Sequence, residues 1–211
     1  MKLFIYFDYT CPFCYIGIKQ LKHVLRAYGN VEPVWRPFEL HPKPTDREDI
    51  VPDPYSGELW APGLLEEAEK EGLLLKTPVT PYPYTNIAFQ GMHYVATIGG
   101  NIMAYNDRIF KAVFEDGLDI SDLSVLTGIA GSLDIDETGF NNAVSDKLLR
   151  RKQEKALKHA YFKSGVEEVP TYIAAGLRIS GAIGREALKQ FLEDALEEEK
   201  RIIASRIGEG K

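Results

Sequence analysis

The sequence predicts an α/β fold in which a βαβ unit and a ββα unit are separated by a block of helices. Three observations carry that prediction. The chain opens on a short apolar run whose pattern switches at once to helical spacing. Nothing between residues 58 and 163 reads as a convincing strand, and a hairpin signal then precedes a long amphipathic helix. With 211 residues the chain is long for one ordinary domain and short for two, which suits one core carrying a large insertion.

Taken in order, "LFIYF" (3–7) is a continuous apolar and aromatic run without helical period, the pattern of a strand buried on both faces. Ile18, Leu21, Leu25 and Tyr28 then recur at spacings of three and four until Gly29 and Asn30 close a helix. "VEPVWRPF" (31–38) reads as a second strand despite Pro33 and Pro37. Alternate strand amides point the same way, so Pro33, Trp35 and Pro37 can face away from a neighbour while Val34, Arg36 and Phe38 donate to it. This strand is therefore predicted at a sheet edge. Residues 39–57, rich in Pro and Asp, read as an irregular crossing. Helices are predicted over 58–71, 85–99, 102–115, 122–131 and 146–163; Ile102, Ile109, Phe110 and Val113 form an apolar stripe on one, and Ser121 or Asp122 can cap another. "TYIAA" and "LRIS" on either side of Gly176 predict a hairpin, and Leu188, Phe191, Leu192 and Leu196 mark the buried side of a closing helix.

With 45% hydrophobic residues the chain can bury a core without staples. Its net charge of −6 argues against nucleic acid or anionic membranes as partners, because no stretch gathers the Lys and Arg such a surface needs. No stretch approaches the roughly 18 apolar residues of a membrane span. The apolar run in "MKLFIYF" is shorter than the signal-peptide h-region of about 7–15 residues, so a cytoplasmic chain is expected. Monomer and homodimer are equally compatible with the patterning.

The two cysteines, in "TCPFC", stand three apart at the predicted strand-to-helix turn. A structural disulfide is disfavoured in the cytoplasm, which raises catalytic and metal-binding roles. A structural zinc site usually takes four ligands, often in two pairs, and here only the separate His23, His41, His93 and His159 could complete one, so no metal is expected. Disulfide exchange needs a thiolate nucleophile and a second thiol close enough to resolve the mixed disulfide. At a helix start, Cys11 would meet unpaired N–H groups and the positive end of the helix dipole, which favour its thiolate; Cys14, one turn inside, would be covered. Pro12 fits the first helical position, where its missing N–H costs nothing. Cys11 should attack and Cys14 resolve.

With "DYTCPFCYIG", "VWRPFEL", "GLDISDL", "GVEEVPTY" and "ISGAIG" in order, nearly the whole chain resembles the FrnE-type branch of the DsbA family, related to 2-hydroxychromene-2-carboxylate isomerases and kappa-class glutathione transferases. The resemblance implies a thioredoxin-like fold with a helical domain inserted between the second and third strands: residues 1–40 and 164–211 as the thioredoxin-like domain, 41–163 as the insertion. It implies a thiol-disulfide oxidoreductase cycling Cys11 and Cys14 on protein thiols and disulfides or on a small thiol. No resident cofactor is expected, and glutathione or another low-molecular-weight thiol is a candidate co-substrate. It further implies that Pro170 is cis and faces the cysteines, that the Val169 backbone pairs with a bound peptide, and that Pro12, Phe13 and Thr171 complete the substrate surface. The alternative it carries is a glutathione-dependent isomerase or transferase acting on an aromatic small molecule. Thioredoxins carry a buried acid where this chain has Ile5; Asp8 is the nearest acid in sequence and reads first as a turn or cap residue. His93 reads as a satisfied packing residue, and Asn86 as either a cap or a cleft residue.

Overall fold

The computed structural model describes residues 1–44, 63–76 and 81–208. Strand β1 (Lys2–Phe7) leads into helix α1 (Pro12–Leu25) and strand β2 (Glu32–Pro37). Helices α2 (Leu64–Lys70), α3 (Asn86–Thr97), α4 (Ile102–Lys111), α5 (Leu123–Gly131), α6 (Glu137–Ser145) and α7 (Lys147–Phe162) follow. Strands β3 (Thr171–Ala174) and β4 (Leu177–Ser180) and helix α8 (Arg185–Gly208) close the fold. The sheet order is β2-β1-β3-β4, with β2 parallel to β1 and the other pairs antiparallel.

β2 lies at the edge for the reason its prolines give. Glu32 N–H donates to Met1 and Phe38 N–H to Phe7, so residues of this parity face β1. Pro33 and Pro37, of the other parity, direct their missing donors away from the ladder. At the β3–β4 turn Ala175 and Gly176 both take positive φ, 48° and 83°, as a two-residue primed hairpin turn requires.

The alternation of β1 divides the interior. Leu3, Ile5 and Phe7 join Tyr172 and Ala174 in the main core with α1 and with Leu188, Phe191 and Leu192 of α8. Tyr6 faces the other way, against Phe38, Ala160 and Val166, where α7 covers the sheet. Phe7 also meets the helical block, at 5.4 Å from Phe89, and Tyr9 lies 4.6 Å from the same ring. Such aromatic pairs contribute roughly 0.5–1.5 kcal/mol each beyond area burial. Tyr15 stacks on Phe110 and its hydroxyl donates to Glu115, while Lys22 and Lys19 pair with Asp107, so α1 is held against α4.

Two differences from the predicted elements have physical causes. The 102–115 helix changes to a π turn at Ala112–Asp116 and ends in Gly117 at φ 67°. Helix α6 is additional to the predicted elements, because it buries only Phe140 and Val144; Asp136 starts it by accepting from the amides of Thr138 and Gly139. Residues 58–62 of the first predicted helix, and 45–57 of the predicted crossing, lie outside the described residues.

Gly91 lets α3 approach its neighbours. A Cβ there would lie 2.1 Å from Tyr105 Oη and 2.7 Å from Phe140 Cζ, and Tyr105 is fixed by its bond to Ala88 O. Gly128 on α5 meets nothing within 4 Å. Gly91→Ala should therefore cost about 1–2 kcal/mol despite its better helix propensity, while Gly128→Ala should gain up to about 1 kcal/mol. Urea unfolding of both variants checks this, and equal effects would refute the packing account.

Candidate active site

Cys11 is the residue that starts α1. Its backbone is extended, at φ −92° and ψ 113°, while its carbonyl already accepts from Tyr15 N–H, and Pro12 occupies the first helical position. Its sulfur replaces the oxygen of an ordinary cap, accepting from Cys14 N–H at 3.3 Å. The same thiol donates to Val169 O at 3.5 Å. Cys11 is 6% exposed and Cys14 fully covered, and both are free thiols. The order of access expected from position along the helix is thus present in the structure.

Val169 and Pro170, in the segment before β3, meet the cysteines through that carbonyl, and the bond between them is cis. Pro170 O accepts from Gly181 N–H at 2.7 Å, which fastens the segment to the end of β4. Thr171 is buried, with its hydroxyl bonded to Glu168 O and Ser180 Oγ, so it braces the hairpin rather than facing solvent. Phe13 is 37% exposed between the two cysteines.

Burial governs the ionisable groups here. Cys14 is pushed well above the ordinary thiol range, first by desolvation and then by its bond to Cys11. Asp8 is buried, and its carboxylate accepts from Leu40 N–H at 2.6 Å and Thr10 N–H at 3.3 Å. Desolvation outweighs those bonds and raises it from 3.8 to about 6. The turn-residue reading of Asp8 holds, since Thr10 N–H is its partner, yet its charge also bears on Cys14.

Glu39, which sequence reasoning does not single out, lies buried beside this group. It accepts from Asn86 Nδ2 and Gln153 Nε2, each at 2.8 Å, and desolvation raises its pKa against those bonds, with the charge of Asp8 adding to the rise. Asn86 is therefore a Glu39 partner, and Thr85 takes the cap position. His93 bonds Gln153 Oε1 at 3.0 Å and is lowered to about 4, mainly by burial, in keeping with a packing role. The only sequence signal for Glu39 is an acid set directly after an apolar strand. Tyr82 and Tyr172 escape sequence reasoning for a plainer reason: in a chain with 11 tyrosines nothing distinguishes the two that lie near the thiols. Among the described residues no group of three His, Cys, Asp or Glu side chains converges as a metal site, and no helix is long and apolar enough to cross a membrane.

The family described as DSBA-like thioredoxin domain matches residues 2–193. The chain belongs to it. This DsbA-like chain is accordingly an enzyme of the thiol-disulfide oxidoreductase class. It is 35% identical over 191 residues to the uncharacterized protein YwbO of Bacillus subtilis (strain 168), covering 90% of this chain and 94% of YwbO. Three solved structures share the fold. A probable DsbA oxidoreductase of Streptomyces coelicolor superposes with a TM-score of 0.80 at 23% identity, covering 94% of this chain and 91% of its own. A 2-hydroxychromene-2-carboxylate isomerase gives 0.71 at 21%, covering 97% and 98%. The cytosolic disulfide reductase DsbM of Pseudomonas aeruginosa, solved also with GSH, gives 0.69 at 17%, covering 93% and 99%.

The raised pKa of Asp8 yields a signed prediction. The folded chain holds this proton between 3.8 and about 6, where the unfolded chain has lost it. Stability from that difference is full below the ordinary carboxylate value and lost as pH rises through the folded one, costing on the order of 3 kcal/mol at neutral pH. Asp8→Asn keeps an acceptor for Leu40 N–H and cannot ionise. Its stability relative to the parent should rise by about 2 kcal/mol between pH 4 and pH 7, read from urea unfolding at both. A constant difference across that range would refute the burial account.

Proposed function

We propose that this DsbA-like chain exchanges disulfides with protein substrates through the Cys11–Cys14 pair. The observation that carries the reading is the position of the Cys11 sulfur: it caps α1, receives the Cys14 amide, and lies against the Val169 carbonyl. A negative charge on that sulfur is met by an oriented N–H and the helix dipole. The covered Cys14, one turn on, is near enough to displace whatever binds Cys11. A substrate backbone laid in extended form beside Val169 would have its sulfur brought to Cys11, a mode that reads backbone more than sequence. Phe13 offers that substrate an apolar edge.

Asp8 is the base in this scheme. It lies close enough to Cys14 for its charge to matter, and with a pKa of about 6 it is ionised at neutral pH and can take the thiol proton before Cys14 attacks. The cysteine usage and the cytosolic DsbM fold neighbour support a cytoplasmic setting. DsbM has been solved with GSH, which supports a low-molecular-weight thiol as electron partner.

Equilibration across graded thiol buffers, with free thiols trapped and the products weighed, tests the reading. A single two-electron transition of Cys11–Cys14 is expected, its midpoint fixing direction at about 1.4 kcal/mol per 30 mV. Cys14→Ser should trap mixed disulfides on Cys11. If no disulfide forms across the range, or if Cys14→Ser keeps full activity on a glutathione-conjugated aromatic substrate, exchange is wrong and the isomerase or transferase reading replaces it.

A further inference from the structure

The Tyr172 hydroxyl is fully buried and, among the described residues, has no hydrogen-bond partner. Buried tyrosine hydroxyls usually find one, so its placement requires a reason. Tyr172 stands in register with Ile5, on the face of the sheet packed against α1. Gly17, one turn after Cys14, leaves it room: a Cβ at Gly17 would lie 2.5 Å from Tyr172 Oη and 3.1 Å from Pro170 Cγ. Residues three apart on a helix share a face, so the hydroxyl lies over the Cys14–Gly17 side of α1, beside Pro170. Burial, then the charges of Cys14 and Cys11, drive the phenol far above its ordinary range. It therefore keeps its proton and remains a donor through the whole cycle.

We infer that Tyr172 donates a hydrogen bond to the Cys14 thiolate as that thiolate attacks the Cys11 mixed disulfide. The inference rests on the exchange reading above. In the step, the Cys14 sulfur forms the Cys11–Cys14 bond, the bond between Cys11 and the client sulfur breaks, and the client leaves as a thiolate. The Cys14 proton has gone to Asp8 beforehand, and Tyr172 keeps its own. The side chains that bear on Cys14 are Cys11, Asp8 and Tyr172. In the dithiol the Cys11 sulfur accepts from the Cys14 thiol, which raises Cys14, and its own S–H is directed to Val169 O; in a mixed disulfide it has no proton to give. Asp8, once ionised, is an acceptor only and its charge opposes the thiolate. The Asp8 backbone N–H already donates to the Cys14 sulfur, and of the three side chains Tyr172 alone can add a second donor at the moment the charge forms.

The test titrates Cys14 without requiring exchange. In a C11A background, the labelled Cys14 Cβ chemical shift is followed against pH with and without Y172F. Loss of a hydrogen bond to a charged sulfur should raise the Cys14 pKa by about one unit. At neutral pH that cuts the thiolate fraction about tenfold, and the greater nucleophilicity of the more basic sulfur returns about threefold, so resolution should slow roughly threefold. The mixed disulfide of the Y172F enzyme should persist correspondingly longer. Gly17→Ala, which displaces the hydroxyl while improving helix propensity, should move the Cys14 titration the same way. If C11A and C11A/Y172F titrate alike, or Gly17→Ala leaves Cys14 unmoved, the inference is overturned. Failure of the parent enzyme to form mixed disulfides would instead remove the exchange reading, and the titration would still decide whether Tyr172 bonds the thiolate.

Discussion

The beginning of α1 is the constraint on which the site depends. A helix leaves its first N–H groups without partners, and most helices assign an oxygen to them. Here the assigned atom is the Cys11 sulfur, so the group proposed as nucleophile is also what begins the helix. The short link from β1 sets where this happens: Asp8 O accepts from Cys11 N–H at 3.3 Å, and the Asp8 carboxylate binds Leu40 N–H, just beyond β2. The ends of two adjacent strands and the start of one helix are thus joined at a single buried acidic residue. The Val169–Pro170 segment completes the arrangement by presenting a carbonyl to the same sulfur.

This economy has a cost in electrostatics. Asp8, Glu39 and Cys14 all lie where charge is poorly solvated, and burial raises all three. A chain selected for stability alone would place apolar groups there. Raised pKa values concentrated at one end of a sheet, with an apolar core on either side of it, are the expected mark of a chemically committed site. The surrounding amides of Asn86 and Gln153 limit the cost by donating to Glu39, and His93 in turn bonds Gln153.

Much of this is legible in the sequence because period and punctuation are local. The change from the LFIYF run to helical spacing locates the turn, and the parity of Pro33 and Pro37 is enough to place β2 at the edge. Cap chemistry narrows the start of α5 to Ser121 or Asp122, and Asp122 takes the cap. What escapes depends on distance in sequence. Glu39 and Gln153 are 114 residues apart and meet only because α7 covers the second face of the sheet. Helix α6 escapes because two buried side chains do not make a stripe. Tyr172 escapes because its hydroxyl acquires meaning only from Gly17, on another element.

The departure at Ile5 then has a structural logic. Ile5 is fully buried in the middle of β1, in register with Tyr172. A carboxylate at that position would add a third buried acid to Asp8 and Glu39 and would bring a charge against the Tyr172 ring and the α8 side of the core. Moving the acid three residues along, to the turn, gives it backbone donors from Thr10 and Leu40, which a mid-strand residue cannot have because its neighbours' amides are committed to the ladder. The strand stays apolar, and the space opposite Ile5 is filled by a phenol whose one polar atom reaches α1 at Gly17. The proposed base and the proposed donor are thereby separated onto opposite sides of Cys14 in sequence: a carboxylate placed to accept its proton, and a hydroxyl that keeps its own.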